Sequence, residues 1–202
     1  MARFRGPIVK KSRRLGIPLS DKAARIMEKR QNPPGQHGGK GVRKVSDYGK
    51  HLMEKQRLRY TYGLLERPFR NYVLKAMAKK GVAGEILLQM LEIRLDNLVY
   101  RAGFAHTMRE ARQMVTHKHI MVNGKLVNVP SFPVKPGMKV NVIESMLNNT
   151  QIRDAVGKSS TSVNSYLEVS RPDLSFTLLN VPPRDAIPVE LNENLVIEFY
   201  SK

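Results

Sequence analysis

The 202-residue sequence contains no cysteine and no long apolar run, and each absence excludes some classes of protein. Without cysteine there is neither a disulfide framework nor a thiolate metal site. No segment approaches the roughly 18 consecutive apolar residues that a membrane-spanning helix requires. The basic residues 1–7 lack the apolar stretch of a secretory signal. We therefore expect a soluble, intracellular protein.

Acidic residues are also scarce, because 17 Asp and Glu stand against 35 Lys and Arg, which gives a formal net charge of +18. The excess is uneven: residues 1–50 carry fourteen cations and three acids, whereas residues 158–202 carry four cations and six acids. A solvated polyanion is the partner that most simply offsets such self-repulsion. The gradient indicates a basic arm and a basic body, followed by a nearly neutral tail.

Residues 1–45 are predicted to form an arm and not a self-sufficient domain. Proline and glycine repeatedly interrupt any periodic pattern there, as at Pro33-Pro34-Gly35 and Gly38-Gly39. One short helix fits, from about Ser20 to Arg30, with Ser20 as its N-cap. The remainder is expected to be extended and to become ordered against a partner, because it buries too little apolar surface to fold alone.

Residues 46–93 are predicted to form a helical domain. Ser46-Asp47 begins one helix and Glu66-Arg67-Pro68 begins the next, since proline is tolerated in a first turn. Apolar residues recur at helical spacing along this region, through a third helix that ends near Ile93. The C-terminal segment 184–202 is expected to return to this domain.

Residues 94–183 are predicted to form a second domain, in which short helices pack on an antiparallel sheet. A helix from about Leu95 ends at Gly103, and Thr107 with Glu110 forms a capping box at the start of another. Asn123-Gly124 predicts a hairpin with a type I′ turn, because both residues accept positive φ. Further strands are predicted at 138–143, 166–169 and 175–179, whereas residues 148–165 are polar and low in pattern. The whole chain is thus predicted to be an α+β protein.

Basic side chains between residues 94 and 125 are predicted to form a phosphate-binding surface. Arg94 and Arg101 are seven positions apart, which would place them on nearly the same helical face. Arg109 and Arg112 share one side of the following helix, and both are expected to point outward. Such a surface reads the shape and backbone of folded RNA, because the major groove of A-form RNA is too narrow for side chains.

Three segments of this region resemble the RNA-binding fold named after small-subunit ribosomal protein S4: RLDNLVYRAGF at 94–104, EARQMV at 110–115 and HKHIMVNG at 117–124. That fold also occurs on some pseudouridine synthases and tyrosyl-tRNA synthetases, so alone it implies only RNA binding. The flanking segments resemble the bacterial ribosomal family itself. They are MARFRGP at 1–7, PGQHG at 34–38, SDYG at 46–49, EKQRLR at 54–59, YGLLER at 62–67 and LVIEFYSK at 195–202.

The resemblance implies a structural role in the small subunit of a cytoplasmic ribosome, or of an organellar one. Members of the family bind the 5′ domain of small-subunit rRNA early in assembly. They also line the channel by which mRNA enters, beside proteins S3 and S5, and influence decoding accuracy through the contact with S5. By resemblance, Lys40, Arg43 and Lys44 would lie nearest the mRNA. Members with a zinc site carry cysteines in the N-terminal arm, so this cysteine-free sequence implies a zinc-free arm.

The residues predicted to bind rRNA are mostly cations, with some polar and glycine positions that permit close contact. No catalytic residue, metal ligand, cofactor or membrane partner is predicted, because the five histidines lack a metal-ligand pattern and no nucleophile has an adjacent base. The predicted set is Arg3, Arg5, Lys10, Lys11, Arg13, Arg14, Gln36, His37, Gly38, Lys40, Arg43, Lys44, Tyr48, Arg57, Arg59, Arg67, Arg70, Arg94, Arg101, Arg109, Arg112, His117, Lys118, Asn123 and Lys125.

Two rival functions can be tested against this prediction. The helix before Gly103 and the capped helix after it loosely resemble a helix-turn-helix, which would favour duplex DNA and a dimer. An RNA-modifying enzyme would instead need a catalytic domain beside the RNA-binding fold. The polar, turn-rich residues that follow the fold leave no room for such a domain, and DNA is not the expected partner.

Overall fold

The computed structural model describes residues 4–40, 45–158 and 165–201, except for the side chains of Lys40 and Lys158. The chain divides into two compact units, of which the first contains Met1–Gly84 and Glu190–Lys202 and the second contains Glu85–Val189. In the described ranges, no helix is long and apolar enough to cross a membrane.

The described residues form nine α-helices and five β-strands, so the predicted α+β class is confirmed. The helices are α1 (Ile8–Leu15), α2 (Asp21–Lys29), α3 (Asp47–Thr61), α4 (Glu66–Met77), α5 (Ala83–Glu92), α6 (Leu95–Arg101), α7 (Met108–Thr116), α8 (Thr150–Lys158) and α9 (Glu193–Ser201). The strands are β1 (Ile120–Val122), β2 (Lys125–Leu126), β3 (Lys139–Val142), β4 (Leu167–Ser170) and β5 (Ser175–Leu178).

The first unit is built on α3, against which α9 and α1 pack. The hydroxyl of Ser20 caps α2 by accepting a hydrogen bond from the amide of Ala23, and that of Ser46 caps α3 by accepting one from Gly49. Both predicted helix starts are therefore confirmed. The buried Phe69 of α4 lies beside Tyr200 of α9, with 6.2 Å between their ring centroids.

Helix α1 corrects the prediction that residues 1–45 contain one helix and are otherwise extended. It ends at Gly16, which has a φ of +73° and donates its N–H to the carbonyl of Ser12. Leu15 is only 4% exposed, and its carbonyl accepts a hydrogen bond from Nε of Arg57 on α3 at 3.0 Å. Ile8, Ser12 and Leu15 stand at the i, i+4 and i+7 positions of one helix face, so a helical signal was present. The segment is short and lies between Gly6-Pro7 and Gly16, which favoured an extended prediction.

The second unit contains a five-stranded antiparallel sheet in the order β2-β1-β3-β5-β4. All of the predicted strands in this unit are present. Helices α6 and α7 pack on each other and contribute Leu98, Val99 and Val115 to the core shared with the sheet. Phe104, which follows α6, packs against Phe176 of β5 with 5.7 Å between the ring centroids.

Helix α8 lies in residues 148–165, where the sequence is polar and low in pattern and no helix was predicted. Its buried residues are Ile152, Ala155 and Val156, which stand at the i, i+3 and i+4 positions of a helix face. The helical signal was therefore present in the sequence, but polar residues around it concealed it.

Candidate nucleic-acid interface

Helix α7 begins after Thr107, which confirms the predicted N-cap, but the carboxylate of Glu110 bonds to the residue before the N-cap and not to the amide of Thr107 that the predicted capping box requires. The hydroxyl of Thr107 accepts a hydrogen bond from the amide of Glu110, and the carboxylate of Glu110 accepts one from the amide of His106 at 2.8 Å. The first of these bonds satisfies an amide that a helix start leaves unpaired, and the second holds the residue before the N-cap to the first turn. The exposed side of α7 carries Arg109, Gln113 and Thr116, because the opposite side packs on α6 and the core.

The turn between α7 and β1 presents further exposed polar and basic groups. Lys118 is exposed and has a φ of +63°, an uncommon conformation for a residue with a side chain. His117 is exposed as well, and its ring centroid lies 5.9 Å from that of the half-buried His119. Nδ1 of His119 is buried and has no hydrogen-bond partner in the described part of the chain.

The hairpin between β1 and β2 confirms the predicted turn. Asn123 and Gly124 have φ values of +48° and +76°, as a type I′ turn requires. Oδ1 of Asn123 accepts a hydrogen bond from the amide of Lys139 at 2.9 Å, which ties the turn to β3. The side chain of Lys125 is exposed beside the turn.

The structure corrects the predicted orientation of two arginines. Arg94 is 2% exposed, and its guanidinium forms a bidentate pair with Asp96, at 3.0 Å from Nε to Oδ1 and 2.7 Å from Nη2 to Oδ2. Arg112 is 9% exposed, and its Nη1 donates to the same Oδ2 at 2.9 Å. The predictions that Arg94 lies on an open helical face and that Arg112 points outward are therefore wrong.

Arg101 is also held inside the second unit. Its Nη2 lies 2.8 Å from Oε1 of Glu92, a fully buried carboxylate that also accepts a hydrogen bond from the side chain of Asn97. The hydroxyl of Tyr166 donates to Glu92 as well, at 3.3 Å. Burial, followed by the negative charge of Glu92, raises the pKa of Tyr166, so its hydroxyl remains a donor. These contacts give Arg101 a structural role.

Three predicted arginines of the first unit have partners within that unit. Arg13 donates to the backbone carbonyls of Asn32 and Pro33. Arg57 pairs with Glu54 and contacts the carbonyl of Leu15. Arg59 lies 3.2 Å from Glu66 and 4.5 Å from the centroid of the Tyr60 ring. All three arginines therefore make contacts that stabilise the first unit.

Glu66 on α4 forms ion pairs with Lys55 and Arg59 on α3. Its Oε1 lies 2.8 Å from Nζ of the buried Lys55 and accepts a hydrogen bond from the hydroxyl of Tyr200 at 2.6 Å. Partial burial opposes the ionisation of Glu66. The hydrogen bonds and the charges of Lys55 and Arg59 outweigh that effect, so the pKa of Glu66 lies below its ordinary value. Glu66 therefore remains an anion at neutral pH.

The other predicted residues of the first unit differ in exposure. Gly38 is in close contact with its own chain, because an added Cβ would lie 2.0 Å from the carbonyl oxygen of Pro33. Arg3, Arg43 and Lys44 lie outside the described residues, as does the side chain of Lys40. Lys11 is half-buried. The exposed members are Arg5, Lys10, Arg14, Gln36, His37, Tyr48, Arg67 and Arg70.

Several exposed lysines were not among the predicted residues. Lys75, Lys79 and Lys80 are exposed on α4 and just after it, and Lys139 is exposed on β3 next to the Asn123 turn. The excess of positive charge was a signal for them, but no local motif distinguished them from ordinary surface lysines. Together with the exposed predicted residues, they provide cations that can contact phosphates.

The chain is similar to ribosomal proteins over its whole length. The family described as "Ribosomal protein S4/S9 N-terminal domain" matches residues 3–92, and the family described as "S4 domain" matches residues 93–140. Proteins called "Small ribosomal subunit protein uS4" from Chlorobaculum tepidum and Chlorobium limicola are 48% and 47% identical to the chain. The protein of that name from Chloroherpeton thalassium is 45% identical. Each alignment covers 100% of both sequences.

Proposed function

The chain belongs to the ribosomal protein S4 family, and on that premise we propose that it is an RNA-binding structural protein of the small ribosomal subunit. The observation that carries this function is the similarity to the uS4 proteins over 100% of both sequences. The protein binds rRNA and is not an enzyme. The bacterial relatives favour a ribosome of the cytoplasm as its location.

The exposed cations provide the chemistry for RNA binding. In the second unit, Arg109, Lys118 and Lys125 follow one another on α7, the turn and the hairpin. Contacts of this kind with phosphates position a protein on folded RNA without reading its bases. Arg109 offers a planar fork of donors that can hold one phosphate in a bidentate manner. We assign the rRNA contacts of this unit to these residues, with Gln113, His117 and Asn123.

The first unit contributes a second group of proposed contacts. Lys10 and Arg14 are exposed on α1, and Arg67 and Arg70 are exposed on α4. These four side chains have no carboxylate partner among the ion pairs of the described residues. A surface cation without a carboxylate partner keeps its full attraction for phosphate. We therefore favour these four positions as rRNA contacts over Arg13, Arg57 and Arg59, which have partners in the unit.

The finer functional proposals rest on the resemblance. They are binding of the 5′ domain of small-subunit rRNA early in assembly, a position in the channel by which mRNA enters, and contacts with proteins S5 and S3. Contact with S5 would influence decoding accuracy. The segment with Lys40, Arg43 and Lys44 supports the mRNA proposal through its charge, since it adds three cations within five positions.

Binding of the full chain to three nucleic acids tests the function. The 5′ domain of small-subunit rRNA, an unrelated structured RNA and duplex DNA would each be titrated over a series of salt concentrations. Non-specific binding to phosphates weakens steeply as the salt concentration rises, whereas specific binding to one RNA is retained to higher salt. We expect a preference for the rRNA fragment that survives at high salt. A preference for duplex DNA would favour the helix-turn-helix alternative, and equal affinity for all three would contradict the proposal.

A further inference from the structure

A cavity of about 340 Å³ lies in the first unit and is lined by residues of α1 and α3. Part of its lining is apolar, from Leu15, Val45, Leu52 and Met53. Its volume falls at the small end of the range for ligand sites, which is roughly 300–1,000 Å³. None of the contacts described for rRNA above requires such a cavity, because phosphates bind to open surfaces.

The same cavity is lined by a buried amide oxygen that lacks a hydrogen-bond partner in the described part of the chain. This oxygen is Oε1 of Gln56. A buried polar atom without a partner is unfavourable, and such atoms are rare in folded proteins. The side-chain amide of glutamine combines an acceptor with a donor, which is the pair of groups that the polar edge of a nucleobase matches.

Two cations and an aromatic ring complete the lining. Lys11 and Arg14 extend from α1, and Arg14 is exposed. Nζ of Lys11 lies 5.6 Å from the centroid of the Tyr60 ring, which also lines the cavity. That ring is buried and packs against Phe4 and Arg59, so it forms part of the cavity wall and not an open stacking surface. Proteins hold unpaired nucleotides by contacts of cations with the phosphate and by insertion of the base among protein side chains, and the two cations beside this cavity suit the first of these contacts.

We propose that this cavity receives the base of one unpaired nucleotide of the bound RNA, which pairs with the amide of Gln56 while its phosphate contacts Lys11 and Arg14. An apolar side chain of a protein partner would fill the apolar part of the cavity, but it would leave Oε1 of Gln56 without a donor. A nucleotide satisfies both the amide oxygen and the cations. The proposal rests on the RNA-binding function and adds a base-binding site to it.

Two variants of the full chain test the site through its affinity for the 5′ domain of small-subunit rRNA. Gln56→Met keeps the length of the side chain but removes the amide, and Leu52→Phe fills the cavity. We expect each to weaken binding about five- to tenfold, as the loss of one buried hydrogen bond does. Gln31→Met is the matched control, because Gln31 is exposed in the same unit and does not line the cavity.

Ultraviolet cross-linking of the wild-type complex gives a second readout that does not depend on how the variants fold. Mass spectrometry should find a single nucleotide attached within the segment from Leu52 to Tyr60. Unchanged affinity of both variants, together with a cross-link elsewhere, would overturn the cavity proposal while RNA binding stands. Failure of the wild-type chain to prefer the rRNA fragment would overturn the RNA-binding function itself.

Discussion

Nη1 of Arg112 on α7 lies 2.9 Å from Oδ2 of Asp96 on α6, and both side chains are buried. The same oxygen lies 2.7 Å from Nη2 of Arg94. One carboxylate therefore holds two guanidinium groups and joins the helices on either side of the Gly103 turn. Arg94 and Arg112, which were predicted to lie on the RNA-binding surface, instead help to hold α7 against α6.

Replacement of Asp96 by Asn should strongly destabilise the second unit. The amide keeps the volume of the side chain but removes the charge, so Arg94 and Arg112 lose the ion pairs that each forms with Asp96. Removing one partner of a buried ion pair typically costs about 3–5 kcal/mol. The free energy of unfolding, measured by urea denaturation, checks this. Asp154→Asn, at an exposed position of α8, is the matched control, and equal stability of the two variants would contradict the structural role of Asp96.

Simultaneous replacement of Arg109 and Lys125 by Ala should weaken RNA binding and leave the fold intact. Each lost charge-assisted contact with a phosphate is worth about 1–3 kcal/mol, and the salt dependence of binding should become shallower by about one unit per contact. Because both side chains are exposed, the free energy of unfolding should change by less than about 0.5 kcal/mol.

The control for this pair is Arg171→Ala, an exposed arginine after β4 that is not among the proposed contacts. Its rRNA affinity should match that of the wild type. If the double variant bound rRNA as tightly as Arg171→Ala does, α7 and the hairpin would not be part of the interface. Arg112→Ala would not serve as a surface variant, since its burial against Asp96 makes loss of stability the first effect.

Replacement of Leu15 by Ala should destabilise the first unit, because the side chain is buried and α1 packs on α3. Leucine-to-alanine changes at buried sites cost about 2–5 kcal/mol. Thermal or urea unfolding measures the effect, with Leu74→Ala on the exposed face of α4 as the control. The result also tests the sequence-based view of residues 1–45 as an arm that RNA orders, since an arm of that kind would tolerate the change without loss of stability.

Replacement of Gly124 by Ala should destabilise the hairpin by about 1–2 kcal/mol, although no atom lies within 4 Å of an added Cβ. The cost is conformational, because Gly124 has a φ of +76° and residues with a side chain disfavour that region. Gly157→Ala in α8 is the matched comparison, since its added Cβ also meets no atom within 4 Å and its φ is not positive. That change should stabilise the protein by about 0.5–1 kcal/mol. Equal effects of both changes on unfolding would contradict this reasoning.

Local chemistry made much of the fold predictable from the sequence. Ser20, Ser46 and Thr107 stand at helix starts and bond to the amides of the first turn, and these contacts depend only on neighbouring residues. The Asn123-Gly124 turn follows from φ preferences of the two residues in the same way. The family resemblance came from such local segments as well.

The burial of Arg94 and Arg112 was not predictable from the sequence, because it depends on contacts between separate elements. The spacing of seven between Arg94 and Arg101 predicts that both lie on one helical face. Arg94, however, precedes α6 in an extended conformation, so helical periodicity does not apply to it. Arg112 shares a side of α7 with Arg109, yet the packing of α7 on α6 brings only Arg112 to Asp96. Net charge alone does not separate cations that bind RNA from cations that stabilise the protein.

Cosedimentation of the full chain with protein-free small-subunit rRNA tests the central claim most directly, with large-subunit rRNA as the comparison. A structural protein of the small subunit that binds rRNA early in assembly should associate with small-subunit rRNA in the absence of any other ribosomal protein. We predict one copy per small-subunit rRNA at high salt and no association with large-subunit rRNA. Equal association with both RNAs, lost as the salt concentration rises, would contradict the account and leave only a non-specific attraction between a basic protein and phosphate.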